Sequence, residues 1–132
     1  MGGVEVEGSV GPEPPPVSLL LEIDAAYRRK AAAGVLRQIA PRRFNPEGAA
    51  WLPVMHADRK GWRTTALFSN TARAHKLGRT SDWVMIFSET ESAPETQATV
   101  VTETMVPLKG KRVVRGRESE CAQHYEQMAV EA

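Results

Sequence analysis

Cysteine is almost absent from this chain: Cys121 is the single one. That excludes an internal disulfide framework and fits a reducing compartment. Long apolar runs are missing as well, and none approaches the roughly 18 residues a membrane span needs. The opening segment Met1–Gly11 carries Glu5 and Glu7 and no basic residue. It therefore does not read as a secretory signal, and a cytoplasmic location with no membrane partner is expected. Phosphate cradles are lacking too. Gly110-Lys111-Arg112 has neither the preceding glycine nor the following Ser or Thr of a P-loop, and no Gly-x-Gly-x-x-Gly occurs. Neither Ser69 nor His75 belongs to a Gly-x-Ser-x-Gly elbow.

What is present is enough for one domain. The chain has 132 residues, 42% hydrophobic and 25% charged, ordinary proportions for a single globular core. The net charge of +1 hides segregation: residues 1–24 carry −5, residues 25–88 +9, residues 89–103 −4, residues 104–117 +5 and residues 118–132 −4. Two blocks are thus able to present positive surface.

Four of the nine prolines fall within residues 1–16. Pro12-Glu13-Pro14-Pro15-Pro16 favours extended polyproline geometry, so residues 1–16 read as a disordered tail or linker and residues 17–132 as one domain. Ser18 is a plausible N-cap, acids Glu22 and Asp24 come early, and Arg28, Arg29 and Lys30 come late. Leu20, Ile23, Tyr27 and Ala31 form one stripe, and Gly34 ends the helix. A loop centred on Pro41–Pro46 follows, anchored by Leu36 and Ile39. Trp51–His56 and Trp62–Phe68 flank the turn-like insert Asp58–Gly61 as a hairpin, with Pro53 marking the first as an edge or bulged strand. Ser69 or Asn70 caps a short helix closed by Gly78. Trp83–Phe87 is apolar on both faces, hence a central strand, and β-branched Thr99–Thr102 is its natural partner. Val113-Val114 adds a short edge, and Arg117–Ala129 forms the last helix with Cys121, Tyr125 and Met128 as its apolar stripe. The expected class is α+β: a mostly antiparallel sheet of four to five strands, helices on one face, order α-β-β-α-β-β-(β)-α.

No arrangement of residues carries a catalytic signature. Cys121 and His124 lie three apart on the last helix, and His56 and His75 would complete a zinc set. Cys121, however, shares the core stripe with Tyr125, and the other histidines have no spacing signature. A structural cysteine is the reading, with no metal and no cofactor expected. Burial also argues for an inert thiol rather than a nucleophile. Asp82 and Glu103 border the central strands with Lys109 not far on, a weak pattern for a small metal-dependent nuclease. The basic blocks say more. Arg42 and Arg43 sit beside Phe44, a pairing suited to phosphate contact and stacking, and Lys109, Lys111, Arg112, Arg115 and Arg117 run free of acids.

Five segments point to a family. They are Ser18–Asp24 (SLLLEID), Ile39–Pro46 (IAPRRFNP), Ala66–Thr80 (ALFSNTARAHKLGRT), Val100–Thr104 (VVTET) and Arg112–Glu118 (RVVRGRE). Together they resemble the C-terminal region of bacterial helix-hairpin-helix DNA-binding proteins whose front part is similar to the N-terminal domain of family X DNA polymerases. The likeness runs from residue 12 to about 127, in a region with no assigned catalytic or binding residues. The hairpins that grip DNA in that family lie upstream of the proline-rich segment, and this sequence contains none. The resemblance implies a non-catalytic accessory domain of a DNA-associated protein. Its partner would be DNA, contacted directly or through the helix-hairpin-helix part. The expected phosphate contacts are Arg42, Arg43, Lys111, Arg112, Arg115 and Arg117. A protein-interaction or dimerisation module, using an exposed edge at Trp51–His56 and the three tryptophans, is the alternative from another class.

Overall fold

A computed structural model describes residues 13–131; the front of the proline-rich segment lies outside the described residues. The first helix, α1 (Val17–Ala33), starts directly after Pro16, whose carbonyl accepts from the Leu19 and Leu20 amides. Pro16 thus takes the N-cap place expected of Ser18 and makes no side-chain cap bond. Gly34 closes the helix at φ 71°, a left-handed conformation that costs glycine little. The expected tail gives up its last residues to the domain: Pro15 is buried, and its carbonyl accepts from Arg117 Nη1 at 2.6 Å.

Six strands follow in an uncrossed antiparallel meander: β1 (Arg37–Ile39), β2 (Leu52–Arg59), β3 (Trp62–Phe68), β4 (Val84–Glu89), β5 (Thr96–Thr102) and β6 (Arg112–Val114). A five-residue helix, α2 (Ala72–Lys76), lies between β3 and β4, and α3 (Glu118–Glu131) ends the chain. The α+β class and antiparallel sheet are as expected, but the sheet has six strands rather than four or five. The additional one is β1, three exposed residues with no alternation to betray it. Because Arg37, Gln38 and Ile39 pair with Val54, Pro53 and Leu52, β2 is an interior strand. The edge expected at Trp51–His56 is therefore covered from Leu52 to Val54, while Met55 and His56 lie beyond the β1 ladder, and Pro53 sits where the ladder does not need its missing N–H. The β2–β3 turn is two residues long, with Lys60 at φ 52° and Gly61 at φ 83°, matching the right-handed twist of the strands. The α2 N-cap is Thr71, whose hydroxyl accepts from the Ala74 amide at 3.1 Å.

Helices α1 and α3 cover one face of the sheet. Leu19, Leu20, Ile23 and Tyr27 from α1 are fully buried against Val84, Ile86, Val100 and Val114, with Cys121 from α3 closing the core. Tyr27 also ties the helix to the backbone of two strands. Its hydroxyl donates to Pro53 O at 2.7 Å and accepts from the Phe68 amide at 2.9 Å, where the β2–β3 register runs out at Val54–Leu67. Burial, only partly offset by the Phe68 hydrogen bond, pushes the Tyr27 phenol up to about 12.

Among the described residues, the other face of the sheet carries no helix of comparable size. Along β4 burial alternates: Val84, Ile86 and Ser88 are buried, whereas Met85, Phe87 and Glu89 are half-exposed. β4 lies between β3 and β5, the central place expected of Trp83–Phe87. Its continuous apolar run reflects an inner face packed on helices and an outer face left partly open.

Candidate functional site

The acid-free basic run does not form one surface. Arg112, at the start of β6, turns inward and is held by all three guanidinium nitrogens. Nε and Nη2 donate to the Asp24 carboxylate at 3.1 and 2.8 Å, and Nη1 donates to Asp82 Oδ1 and Thr102 Oγ1, both at 3.0 Å. Nη2 also reaches the carbonyls of Asp82 and Val100 at 2.7 and 3.3 Å. Asp24 is fully buried and accepts in addition from Arg28 Nε at 3.1 Å. Arg112 has no donor left for a phosphate, which corrects the expectation that it is an exposed contact. It is the counter-charge that allows α1 to bury an acid.

Arg117 donates twice to Glu120, at 2.8 Å each, besides its bond to Pro15. Arg115 is half-exposed but bridges Glu118 at 2.7 Å and Glu103 at 3.5 Å. Only Lys111 of this run's four expected contacts has no carboxylate within 4 Å among the described residues, its ammonium standing 5.0 Å from the Tyr125 ring centroid. Each arginine in the run meets an acid that the sequence places far away or one turn along.

Arg42 and Arg43 behave differently. They lie exposed in the loop between β1 and β2, which Asn45 organises by donating to Pro41 O and Ala49 O, both at 2.9 Å. Asn70 donates to Arg43 O at 2.9 Å and so ties this loop to the segment leading into α2. Phe44, at φ 55° and 48% exposed, stacks on His75 of α2 with ring centroids 4.3 Å apart, and the Arg43 guanidinium lies 5.5 Å from the Phe44 centroid. His75 Nε2 in turn meets Asn70 Oδ1 at 2.6 Å. The same α2 contributes Arg73 and Lys76, both exposed. Arg42, Arg43, Arg73 and Lys76 have no carboxylate within 4 Å among the described residues. The loop and the short helix together form a basic surface around an exposed phenylalanine. Sequence spacing could not join Phe44 to His75; the only signal was that both lie in basic stretches.

Beside α2 the outer face of the sheet sinks into an open groove of about 450 Å³. Its floor is Trp83, Met85, Gln97, Thr99 and Val101, and Ser69, Thr71 and Arg73 form the side nearest α2. Arg115, itself bridged to Glu103 and Glu118, is the other charged lining residue, and no acid lines the groove among the described residues. Farther along the same face a hollow of about 220 Å³ beside Phe87 is bordered by Asp58, Glu89 and Glu95 together with His56 and Arg63, the last paired with Glu89 at 3.2 Å. The sheet face is therefore polarised, basic near α2 and acidic at the opposite end.

The carboxylates weighed for nuclease chemistry are engaged elsewhere. Asp82 accepts from the Thr102 amide and hydroxyl at 3.1 and 2.7 Å as well as from Arg112. Burial pushes its carboxyl up, but the Thr102 hydrogen bonds and the charges of Arg112 and Arg79 outweigh this and hold it below its usual range. Glu103 accepts from the Thr104 amide at 2.9 Å and faces Arg115. Cys121 is fully buried, its sulfur accepting from the Val114 amide at 3.3 Å, and burial raises its thiol pKa. Among the described residues no three His, Cys, Asp or Glu side chains gather where a metal ion would be held. No helix among them is long and apolar enough to cross a membrane.

These features define an α+β domain built on a six-stranded antiparallel meander, helices on one face and a groove on the other. Comparison of the chain with protein-family models, with curated proteins and with solved structures yields no match.

Proposed function

We propose that this chain is a non-catalytic accessory domain of a DNA-associated protein and that it contacts nucleic-acid phosphates directly. The observation that carries this reading is the basic surface of Arg42, Arg43, Arg73 and Lys76 around Phe44, four cations without carboxylate partners among the described residues. Guanidinium groups left unpaired beside an exposed aromatic are suited to phosphate oxygens and sugar or base faces. The likeness to the C-terminal region of helix-hairpin-helix proteins supports DNA over another polyanion. Of the contacts expected from sequence, the proposal keeps Arg42, Arg43 and Lys111, and it adds Arg73 and Lys76 in place of Arg112, Arg115 and Arg117.

Fluorescence anisotropy with labelled duplex and single-stranded 20-mers tests the reading. Binding at low salt is expected, with log K falling linearly against log salt as counterions are released. Absence of binding to either probe at low salt, or an affinity indifferent to salt, would refute it.

A further inference from the structure

We infer that the groove beside α2 receives unpaired nucleobases, so that the preferred ligand is single-stranded nucleic acid rather than duplex. This inference rests on the phosphate-binding reading and specifies its substrate. A groove of about 450 Å³ lies within the roughly 300–1,000 Å³ range of small-ligand sites. Bases in a duplex are stacked and paired, and only a base released from the stack presents its face and edges to such a concavity.

The lining has the three chemistries that a nucleotide requires. Trp83 and Met85 supply an indole and a thioether, apolar and polarisable surfaces for a base. The backbone of Trp83 is held at both ends, its amide donating to Arg79 O at 3.0 Å and its carbonyl accepting from the Ser69 amide at 2.8 Å. Gln97 and Thr99 add an amide and a hydroxyl, neither of which makes an intramolecular side-chain hydrogen bond among the described residues. Arg73 supplies the cation: it lines the groove from the same short helix whose His75 packs on Phe44. A strand whose phosphates follow Arg42 and Arg43 is thereby directed toward the groove. The acids at the far end of the sheet face oppose its continuation there.

The test uses the full chain with labelled oligo(dU), oligo(U) and a 20-bp duplex. We expect either single strand to bind at least tenfold tighter than the duplex, with quenching of tryptophan fluorescence; the stronger of the two identifies the sugar. Trp83→Phe keeps an aromatic face and should retain most of the affinity while losing much of the quench. Trp83→Ala should weaken single-strand binding by roughly tenfold or more. Gln97→Glu changes an exposed side chain, so it tests the groove even if Trp83→Ala fails to fold, and an acid introduced there should weaken single-strand binding several-fold. Equal affinity for duplex and single strands, or parental affinity in Gln97→Glu, would overturn the inference. If Arg42→Ala/Arg43→Ala still weakens binding in that case, phosphate contact stands without the groove. If no probe binds at all, the phosphate-binding reading itself has failed.

Discussion

Arg112 and the Arg42–Arg43 pair are the same residue type in two acid-poor stretches, yet they do opposite work. Arg112 is 13% exposed and surrounded by Asp24, Asp82, Thr102 and two carbonyls. Arg42 and Arg43 stand on a loop whose shape is set by Asn45 and Asn70, with no carboxylate within 4 Å among the described residues. The availability of a cation is thus decided by which acids the fold delivers to it. Local sequence hides this, because Asp24 lies 88 residues from Arg112.

The largest effect that would sharpen this contrast comes from Arg112→Ala. Leaving the buried Asp24 carboxylate with only the more exposed Arg28 as a partner should cost about 3 kcal/mol, read as a fall in the urea midpoint. The double variant Asp24→Leu/Arg112→Met removes both charges and should recover most of that loss, since a buried pair adds little over an apolar replacement of similar volume. A double variant no more stable than Arg112→Ala would show that the ion pair is not the reason for the loss. Next comes Tyr27→Phe, which leaves Pro53 O and the Phe68 amide without their partner. It should lower stability by about 1–3 kcal/mol, and the urea midpoint measures it equally well.

The exposed pair should respond in the opposite way. Arg42→Ala/Arg43→Ala is expected to leave the urea midpoint unchanged while reducing the magnitude of the salt slope of nucleic-acid binding by about 2, one for each lost phosphate contact. The Asp24→Leu/Arg112→Met variant, once folded, should keep the parental slope. If the two variants exchanged these signatures, the contrast would be broken.

The smallest effect concerns acid. Because the Asp82 carboxyl is held below its ordinary 3.8, the folded state binds fewer protons than the unfolded state in that range. The stabilisation is present above the ordinary value and is lost as pH falls through the folded pKa. Asp82→Asn should therefore flatten the acid limb of a thermal-stability profile below about pH 4; an unaltered limb would place the acid sensitivity in another group.

The stripe on α1 was legible because Leu20, Ile23 and Tyr27 recur at helical spacing, and all three are fully buried. The hairpin through Gly61 and the strand after it followed from turn chemistry and β-branching. Two features misled. β1 is too short and too exposed to carry a pattern, so β2 passed for an edge. Asp24 passed for an early helical acid serving the dipole, whereas it is fully buried beside Arg112.

What the sequence determined by itself is therefore local and periodic: the α+β class, the antiparallel hairpins, the core stripe and the burial of a cysteine on an apolar helix face. These depend on spacings of a few residues, over which backbone geometry alone relates side chains to faces. The fate of each charge and the concavity of the outer sheet face were decided by tertiary structure. Strand register and helix docking bring Arg112 to Asp24 and Asp82, and they set Arg73 beside Trp83 and His75 against Phe44. A charged side chain takes its role from neighbours within a few ångströms, and in a meander of six strands those neighbours come from distant parts of the chain.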